Sequence, residues 1–280
     1  MGSHVLDRSG FAALSDLHAQ SWRDIFTLLE DEQAQFAAHA NRFRSPQYIW
    51  PNDPLRTWSR IWEYPYVYHH LSRFGSAHTG GQAMRVADIG SGVTFFPFAL
   101  SRLGYDVNCV DVDPVCERDL KTAIEVVPHA PGNVRFVRTD GESLDFDDAS
   151  IDTIYSISVL EHVPHFERVL REIHRVLKRS GRLVLTFDVD YRGDSQLSVE
   201  SFAKAMAVLD DLFVYASPER PVHPKNILDS RNSPYGTRIE PASCLRALRR
   251  TLVRKLRRRG PAVEPWHLAI YAGSYAPRAQ

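Results

Sequence analysis

The sequence predicts an α/β protein with a doubly wound, mostly parallel sheet, a helical cap before it and an insertion ahead of its last strand. Short apolar runs alternate with helical stretches from Ala83 onward, and the first of these runs leads into the glycine turn Gly90-Ser-Gly92. Strands that alternate with helices form right-handed crossovers, which place helices on both faces of a parallel sheet. Such sheets bind ligands at the carboxyl ends of their strands.

Residues 1–80 are predicted to form the cap. Helical periodicity extends from Phe11 to Ala40, and an aromatic block follows at Trp58–Tyr68. Pro65 interrupts this block, which predicts a poor regular helix. Two roles are open for it: a lid that covers a ligand and walls its pocket, or packing of the cap on the sheet. His78–Gly81 is predicted to be a linker.

Residues 81–280 are predicted to form the main domain, with its core at 83–190. The predicted strands of this core are Met84–Ile89, Asp106–Val110, Val134–Arg138, Ile151–Ile157 and Arg182–Phe187. The predicted helices between them are Phe95–Leu103, Pro114–Val127 and Pro164–Lys178.

Residues 191–265 form the predicted insertion, and residues 266–276 contain the last strand, His267–Tyr275, expected at a sheet edge. Within the insertion, Gln196–Phe213 has the pattern of an amphipathic helix, and Pro218–Gly236 that of an irregular loop that supplies substrate contacts. Arg246–Arg259 alternates leucine with arginine as an amphipathic helix does. Its basic face either stays in solvent or binds an anionic partner.

Composition excludes several classes of protein. The 280 residues carry 34 basic and 34 acidic side chains, and this balance does not favour nucleic acid as a partner. No apolar run reaches the ~18 residues that span a bilayer, so no membrane span is predicted. The 3 cysteines fit neither a disulfide framework nor a zinc site, which predicts a cytoplasmic location.

The glycine turn does not match a dinucleotide site. The G-x-G-x-x-G fingerprint needs a third glycine for close packing of the helix on the strand, and Phe95 stands at that position. Asp88, at the end of the strand, would face the diphosphate with a second negative charge. The turn therefore suits a ligand that is cationic or zwitterionic, because Gly90 and Gly92 admit close approach and Asp88 can hold an ammonium group.

Asp88-x-Gly90-x-Gly92 resembles the first motif of class I S-adenosylmethionine-dependent methyltransferases, D/E-x-G-x-G-x-G, with Thr94 in place of the last glycine. Ser158-Val-Leu-Glu-His-Val163 is similar to the loop after strand four in the branch typified by ubiquinone/menaquinone methyltransferases. The resemblance covers roughly residues 84–188 and implies the Rossmann-like methyltransferase fold.

The resemblance also implies S-adenosyl-L-methionine as the cofactor. The residues it assigns to cofactor binding are Asp88, Gly90, Ser91, Gly92, Thr94, Asp111, Val112, Asp140, Gly141, Glu142, Ser158 and Val159. Among them, Asp111 corresponds to the acid that accepts both ribose hydroxyls, and Asp140 to the acid that accepts from the adenine amino group. Each motif has a simpler explanation when it stands alone, since Asp111 could cap the next helix and Asp140 could be a turn residue.

We expect methyl transfer to a small polar acceptor, with O-methylation favoured over N- or C-methylation. Three alternatives stay open: a protein of this fold that binds the cofactor without catalysis, another use of the same cofactor, and a nucleic-acid methyltransferase. The last depends on the arginine-rich segment alone, because the N/D-P-P-Y/F motif of amino methylases is absent.

His162 is the predicted general base, because an imidazole accepts protons near neutral pH. Its alternative role is packing against the adenosine. No metal ligand is assigned, although Glu161-His-Val-Pro-His165 contains potential metal ligands. The predicted substrate contacts are Trp62, Tyr64, Tyr66, His165, Asp188, Asp190, His223 and Arg231; for Asp188 and Asp190 simple solvation is the alternative.

Overall fold

The computed structural model describes residues 4–76, 83–191, 197–235 and 267–278. Its strands are β1 (Gly10–Phe11), β2 (Arg85–Ile89), β3 (Asp106–Asp111), β4 (Asn133–Arg138), β5 (Ile151–Ile157), β6 (Leu177–Asp190), β7 (Leu197–Ser198), β8 (Phe213–Tyr215) and β9 (Leu268–Pro277). They form one sheet in the order β1-β9-β6-β5-β2-β3-β4, with β7 beside β6 and β8 beside β9. The pairs from β6 through β5, β2 and β3 to β4 are parallel, and β9 is antiparallel to β6.

The helices are α1 (Gln20–Ala37), α2 (Ala40–Phe43), α3 (Arg60–Ser76), α4 (Phe96–Arg102), α5 (Pro114–Val126), α6 (Phe166–Val176) and α7 (Val199–Leu212). Short 3₁₀ turns lie at Leu14–His18, Leu160–His162 and Pro224–Asn226. Neighbouring residues of β2 face opposite cores: Val86 belongs to the cluster that includes α1, α3 and α4, and Ala87 to the cluster that includes α6 and α7. Helices thus cover both faces of the sheet, and the predicted doubly wound α/β fold is confirmed.

The aromatic block Trp58–Tyr68 contradicts the prediction of a poor helix. Most of it lies in α3, which contains Pro65 and continues to Ser76. A proline leaves the carbonyl four residues earlier without its helical donor. That carbonyl belongs to Ile61, and it accepts a hydrogen bond from the Trp22 indole at 3.2 Å. Burial of the aromatic side chains against the sheet and this replacement donor stabilise a helix that local propensity disfavours. A lid function for this segment stays a prediction.

The last strand also differs from its prediction. β9 does not form the sheet edge, because β6 pairs with one side of it and the short strands β1 and β8 pair with the other. No sequence pattern predicts β1, since two residues are too few for a period-2 pattern. The predicted linker at His78–Gly81 and the basic segment Arg246–Arg259 lie outside the described residues.

Candidate functional site

The carboxyl ends of β2 to β6 bring together the residues that the sequence assigned to the cofactor. Gly90 follows β2 with φ +72°, and its N–H donates to the Val110 carbonyl at 2.9 Å. A Cβ at Gly90 would lie 2.4 Å from Val159 Cγ2, so the turn after β2 and the loop after β5 touch where only glycine fits. The Ser91 N–H also donates to Val110, at 3.2 Å.

The acid at the end of β3 is joined to this turn. Asp111 Oδ2 accepts from the Gly92 N–H at 2.8 Å, and its Oδ1 accepts from the Asp113 N–H at 2.9 Å. A carboxylate has about four acceptor positions, so two are left for hydroxyl groups of a ligand. The next residue, Val112, is 50% exposed. An exposed valine beside an oriented carboxylate fits the sugar and the base of an adenosine.

The loop after β4 packs against the same valine. A Cβ at Gly141 would lie 3.3 Å from Val112 Cγ1, and Gly141 itself has φ +88°. Asp140 Oδ1 accepts from the Ser143 and Glu142 N–H groups at 2.8 and 2.9 Å, and these hydrogen bonds lower the pKa of Asp140. Glu142 forms an exposed ion pair with Arg168 at 2.7 Å. The structure therefore places Asp140 near Val112 and turns Glu142 towards α6.

Asp88 is a buried acid on β2, only 5% exposed. Burial raises the pKa of Asp88 to about 8; the Tyr155 hydroxyl opposes this shift, and the negative charge of Asp111 adds to it. Thr94 and Tyr64 lie on the same side, and burial raises the pKa of the Tyr64 phenol. A carboxyl group in such surroundings ionises readily only when a cation binds beside it.

An ion pair that was not predicted from the sequence lies across the end of β5, and its acid, Glu63, is fully buried. Arg60 Nη1 donates to Glu63 Oε2 at 2.6 Å and also to Ser158 Oγ. The Ser158 hydroxyl donates to Glu63 Oε1 at 2.8 Å, and Ser158 has φ +48°, in the left-handed region. The sequence did contain a signal for this pair, because Arg60 and Glu63 carry opposite charges three residues apart within an aromatic stretch. Charged residues are rarely buried unless they are paired.

Behind this pair lie two further acids, Glu161 and Asp188. The Asp188 N–H donates to Glu161 Oε1 at 3.3 Å. Burial and the negative charge of Glu63 raise the pKa of Glu161, and burial and the charges of Glu161 and Glu63 raise the pKa of Asp188. Asp188 and Asp190 are 7% and 1% exposed, so the alternative that solvent simply surrounds them is wrong.

His162 closes the 3₁₀ turn after β5, and its N–H donates to the Val159 carbonyl at 2.8 Å. Its side chain is exposed. Partial desolvation and the positive charge of Arg60 lower the pKa of His162 below 6.5. The imidazole is therefore neutral at pH 7 and able to accept a proton.

The fold places only one of the three predicted aromatic substrate contacts near the site. Trp62 is 1% exposed, and its indole donates to Asp16 Oδ2 at 2.9 Å. Tyr66 is fully buried, and its hydroxyl donates to the Arg8 carbonyl at 2.9 Å. Both side chains have their polar atoms satisfied inside the cap, so the structure does not bring them to the site. Tyr64, by contrast, lies beside Asp88.

The predicted polar contacts are also spread out. His165 is exposed at the start of α6, and His223 Nδ1 accepts from the Lys225 N–H at 3.3 Å on the surface. Arg231 donates to Asp229 Oδ2 at 3.1 Å and lies 2.6 Å from His267 Nε2. Of the eight predicted substrate residues, the structure groups Tyr64 and Asp188 with the strand-end site.

The described residues contain no group of three or more histidine, cysteine or acidic side chains arranged to hold a metal ion. None of the helices in the described ranges is long and apolar enough to cross a membrane.

The residues at the edge from β2 to β5 fit S-adenosyl-L-methionine in chemistry. Asp111 offers acceptors for hydroxyl groups, exposed Val112 offers an apolar surface for a base, and buried Asp88 offers a partner for a cationic group. This edge belongs to a doubly wound sheet of the Rossmann-like kind. Residues 87–185 match the family described as "Methyltransferase domain", and the chain carries this domain.

Curated relatives match part of this chain. An uncharacterized methyltransferase of Mycobacterium sp. (strain JLS) is 38% identical over 104 residues, which cover 37% of this chain and 38% of that protein. The 2-methyl-6-phytyl-1,4-hydroquinone methyltransferase of Synechocystis sp. is 27% identical over 137 residues, 49% of this chain and 42% of that protein. The chain thus spans less than half the length of the curated relatives it matches.

Solved structures extend the likeness in fold beyond this region. YcgJ from Bacillus subtilis superposes with a TM-score of 0.51 at 18% identity, covering 76% of this chain and 100% of that chain. The [4+2]-cyclase SpnF superposes with a TM-score of 0.51 at 19% identity, covering 97% of this chain and 100% of that chain. These structural similarities establish the fold but do not identify the reaction, which has to be inferred from the residues of the site.

Proposed function

We propose that this protein transfers a methyl group from S-adenosyl-L-methionine to a hydroxyl group of a small polar acceptor. The observation that carries the proposal is the Gly90–Gly92 turn joined to the Asp111 carboxylate, on a methyltransferase domain. In this proposal Asp111 accepts from the ribose, Val112 and Asp140 contact the base, and Asp88 faces the cationic part of the cofactor. When bound, the cofactor supplies an activated methyl group.

The protein's own task in such a transfer is alignment and removal of one proton. Gly90 and Gly92 let backbone N–H groups and carbonyls approach the cofactor without a side chain between them. His162, neutral at pH 7 because partial desolvation and the charge of Arg60 lower its pKa, accepts the proton of the acceptor hydroxyl. Tyr64 and the Arg60–Glu63 pair exclude water from the buried side of the site.

The likeness to a cyclase shows why the fold alone does not assign methyl transfer. The deciding experiment incubates the protein with labelled S-adenosyl-L-methionine and a panel of hydroxylated, amino and activated-ring acceptors, with a nucleic acid in parallel. We expect S-adenosylhomocysteine release with a hydroxylated acceptor. Binding of the cofactor without release with any acceptor would favour the non-catalytic alternative, and methylation of nitrogen, carbon or nucleic acid would replace O-methylation.

Two further expectations belong with this proposal. A cytoplasmic location is supported by the reduced, buried thiols of Cys109 and Cys116, which lie among core side chains without a disulfide. An anionic partner for the segment Arg246–Arg259 stays a prediction, and salt-dependent retention on an anionic resin, compared with a variant whose arginines there are changed to glutamine, tests it.

A further inference from the structure

Three carboxyl groups and one guanidinium meet at the ends of β5 and β6. Glu63, on α3, has its charge matched, because Arg60 lies 2.6 Å from one oxygen and the Ser158 hydroxyl donates to the other. Glu161 and Asp188 have no such match. In the described part of the chain, no lysine or arginine forms an ion pair with either of them within 4.0 Å.

Two oxygen atoms of this pair are buried without a hydrogen-bond partner in the residues that the structure describes. They are Glu161 Oε2 and Asp188 Oδ1. Asp188 is 7% exposed, so water does not surround its carboxyl group. A buried polar atom without a partner costs free energy, and buried carboxylates are normally paired or bound to a cation. This arrangement indicates a cationic group that none of the described residues supplies.

The charged groups around the pair support the same conclusion. Glu63 and Arg60 face it from α3, and His162 follows Glu161 in the turn after β5 and feels the positive charge of Arg60. Arg60 is engaged by Glu63, and His162 is neutral at pH 7 because its pKa is lowered. Burial raises the pKa of both acids, so the empty pair retains a proton and a bound cation replaces it.

The position in the sheet distinguishes the ligand from the cofactor. The residues that contact the ribose, the base and the cationic group of the cofactor in our proposal lie at or just after the ends of β2, β3 and β4, whereas Glu161 lies in the turn after β5 and Asp188 near the end of β6. His162, the candidate base, directly follows Glu161. The carboxyl pair thus lies on the side where the acceptor must present its hydroxyl group.

We propose that Glu161 and Asp188 bind a protonated amine of the methyl acceptor, which is an amino alcohol or an aminophenol whose hydroxyl group lies near His162. This inference depends on the proposed function for the identity of the bound molecule as an acceptor. The amine serves as the anchor and the hydroxyl group as the methylated atom.

Matched pairs of probes test this inference by binding rather than turnover. Both members of a pair share one hydroxyl group. The first member also carries an ammonium group, and the second carries another hydroxyl group in its place: tyramine is paired with 4-(2-hydroxyethyl)phenol, and ethanolamine with ethylene glycol. Equilibrium dialysis at pH 7.5 with saturating S-adenosylhomocysteine measures their affinities. We expect at least one amine to bind about tenfold or more tightly than its alcohol, the size of one charge-assisted hydrogen bond.

The variants Glu161→Gln and Asp188→Asn keep the shape of each side chain and remove its charge. Each is expected to lower amine affinity at least about tenfold and to leave affinity for S-adenosylhomocysteine within about twofold. Asp147→Asn, at an exposed acid after β4, is the control and is expected to change neither. If a variant does not fold, the comparison of amine with alcohol on the unaltered protein still decides.

Two results would overturn the inference. Equal binding of amine and alcohol in every pair would show that no ammonium site exists. A parallel loss of amine and S-adenosylhomocysteine affinity in both variants would assign the pair to the amino group of the cofactor. A protein that binds S-adenosylhomocysteine but shows no preference for amines refutes this inference and leaves methyl transfer standing; failure to bind S-adenosylhomocysteine at all refutes the proposed function first.

Discussion

The backbone N–H of Gly92 donates to Asp111 Oδ2 at 2.8 Å, so the turn after β2 is fastened to the acid that ends β3. The second oxygen of Asp111 is fixed by the Asp113 N–H at 2.9 Å. These two hydrogen bonds hold the carboxylate in one orientation before any ligand binds, which reduces the entropy lost on binding. The same residue therefore shapes the turn and presents acceptors to a ligand.

Replacing Asp111 tests its place in the cofactor site. In our proposal Asp111 accepts two charge-assisted hydrogen bonds from the ribose, each contributing about 1.5–3 kcal/mol, so we expect calorimetry of Asp111→Ala to show at least a tenfold loss of S-adenosyl-L-methionine affinity. Asp106→Asn, at the opposite end of β3, is the control and is expected to retain affinity. Unchanged affinity in Asp111→Ala would contradict the placement.

Gly90 is predicted to be intolerant of any side chain for two separable reasons. Its φ of +72° costs an alanine about 1 kcal/mol, and a Cβ would lie 2.4 Å from Val159. Gly104→Ala is the matched control, because Gly104 has φ +90° with nothing within 4 Å of its Cβ position. We expect urea unfolding to show a larger stability loss for Gly90→Ala than for Gly104→Ala, and only Gly90→Ala, like the bulkier Gly90→Val, to lose cofactor affinity. Normal binding by Gly90→Val would mean that the turn faces something else.

Local sequence patterns were sufficient to predict the central strands and helices. The five core strands and their helices follow from apolar periodicity, and their bounds agree with the structure to within a few residues except for β6, which begins at Leu177 rather than Arg182. The residues proposed for the cofactor could be placed for the same reason, since they lie at or just after the ends of predicted strands. A strand end is a local feature, and parallel topology brings all such ends to one edge.

The Arg60–Glu63 pair and the environment of the aromatic block could not be predicted in this way. Arg60 and Glu63 come from the cap and reach Ser158 almost a hundred positions later, a contact that no local pattern reports. Trp62 and Tyr66 were predicted as substrate contacts because aromatic side chains suit pocket walls, yet the same property favours a core. In the structure both side chains belong to the core, where they donate hydrogen bonds to Asp16 and Arg8.

Asp88 is expected to make stability depend on pH. Its pKa is about 8 in the folded protein against 3.8 in the unfolded chain, so its favourable contribution is complete below about pH 4 and is lost as the pH rises to about 8. Asp88→Asn removes this dependence. As the pH rises from about 4 to about 8, we expect the free energy of unfolding of the unaltered protein to fall relative to that of Asp88→Asn, by up to about 1.4 kcal/mol per pH unit.

Urea titrations at pH 5, 7 and 9 measure this difference, with Asp147→Asn as the control for an exposed acid. A difference between Asp88→Asn and the unaltered protein that is the same at all three pH values would show that Asp88 titrates normally. S-adenosyl-L-methionine should weaken the pH dependence of the unaltered protein, because a cation beside Asp88 favours its ionised form.

His162 distinguishes an enzyme that removes a proton from one that works by alignment alone. As a base, it must be neutral, so kcat/KM should fall as the pH drops through a pKa below 6.5, the direction in which Arg60 and partial desolvation move it. His162→Ala should abolish that limb and lower turnover by about 10²–10⁴-fold, with cofactor affinity unchanged within a few-fold. His18→Ala, at an exposed histidine of the cap, controls for loss of an imidazole elsewhere.

If His162→Ala instead weakens cofactor binding and spares turnover at saturation, then His162 packs against the adenosine. The base must in that case be sought at His165, His223 or Asp188, and Asp188 would be the first to test because it alone of the three is buried beside the end of β5.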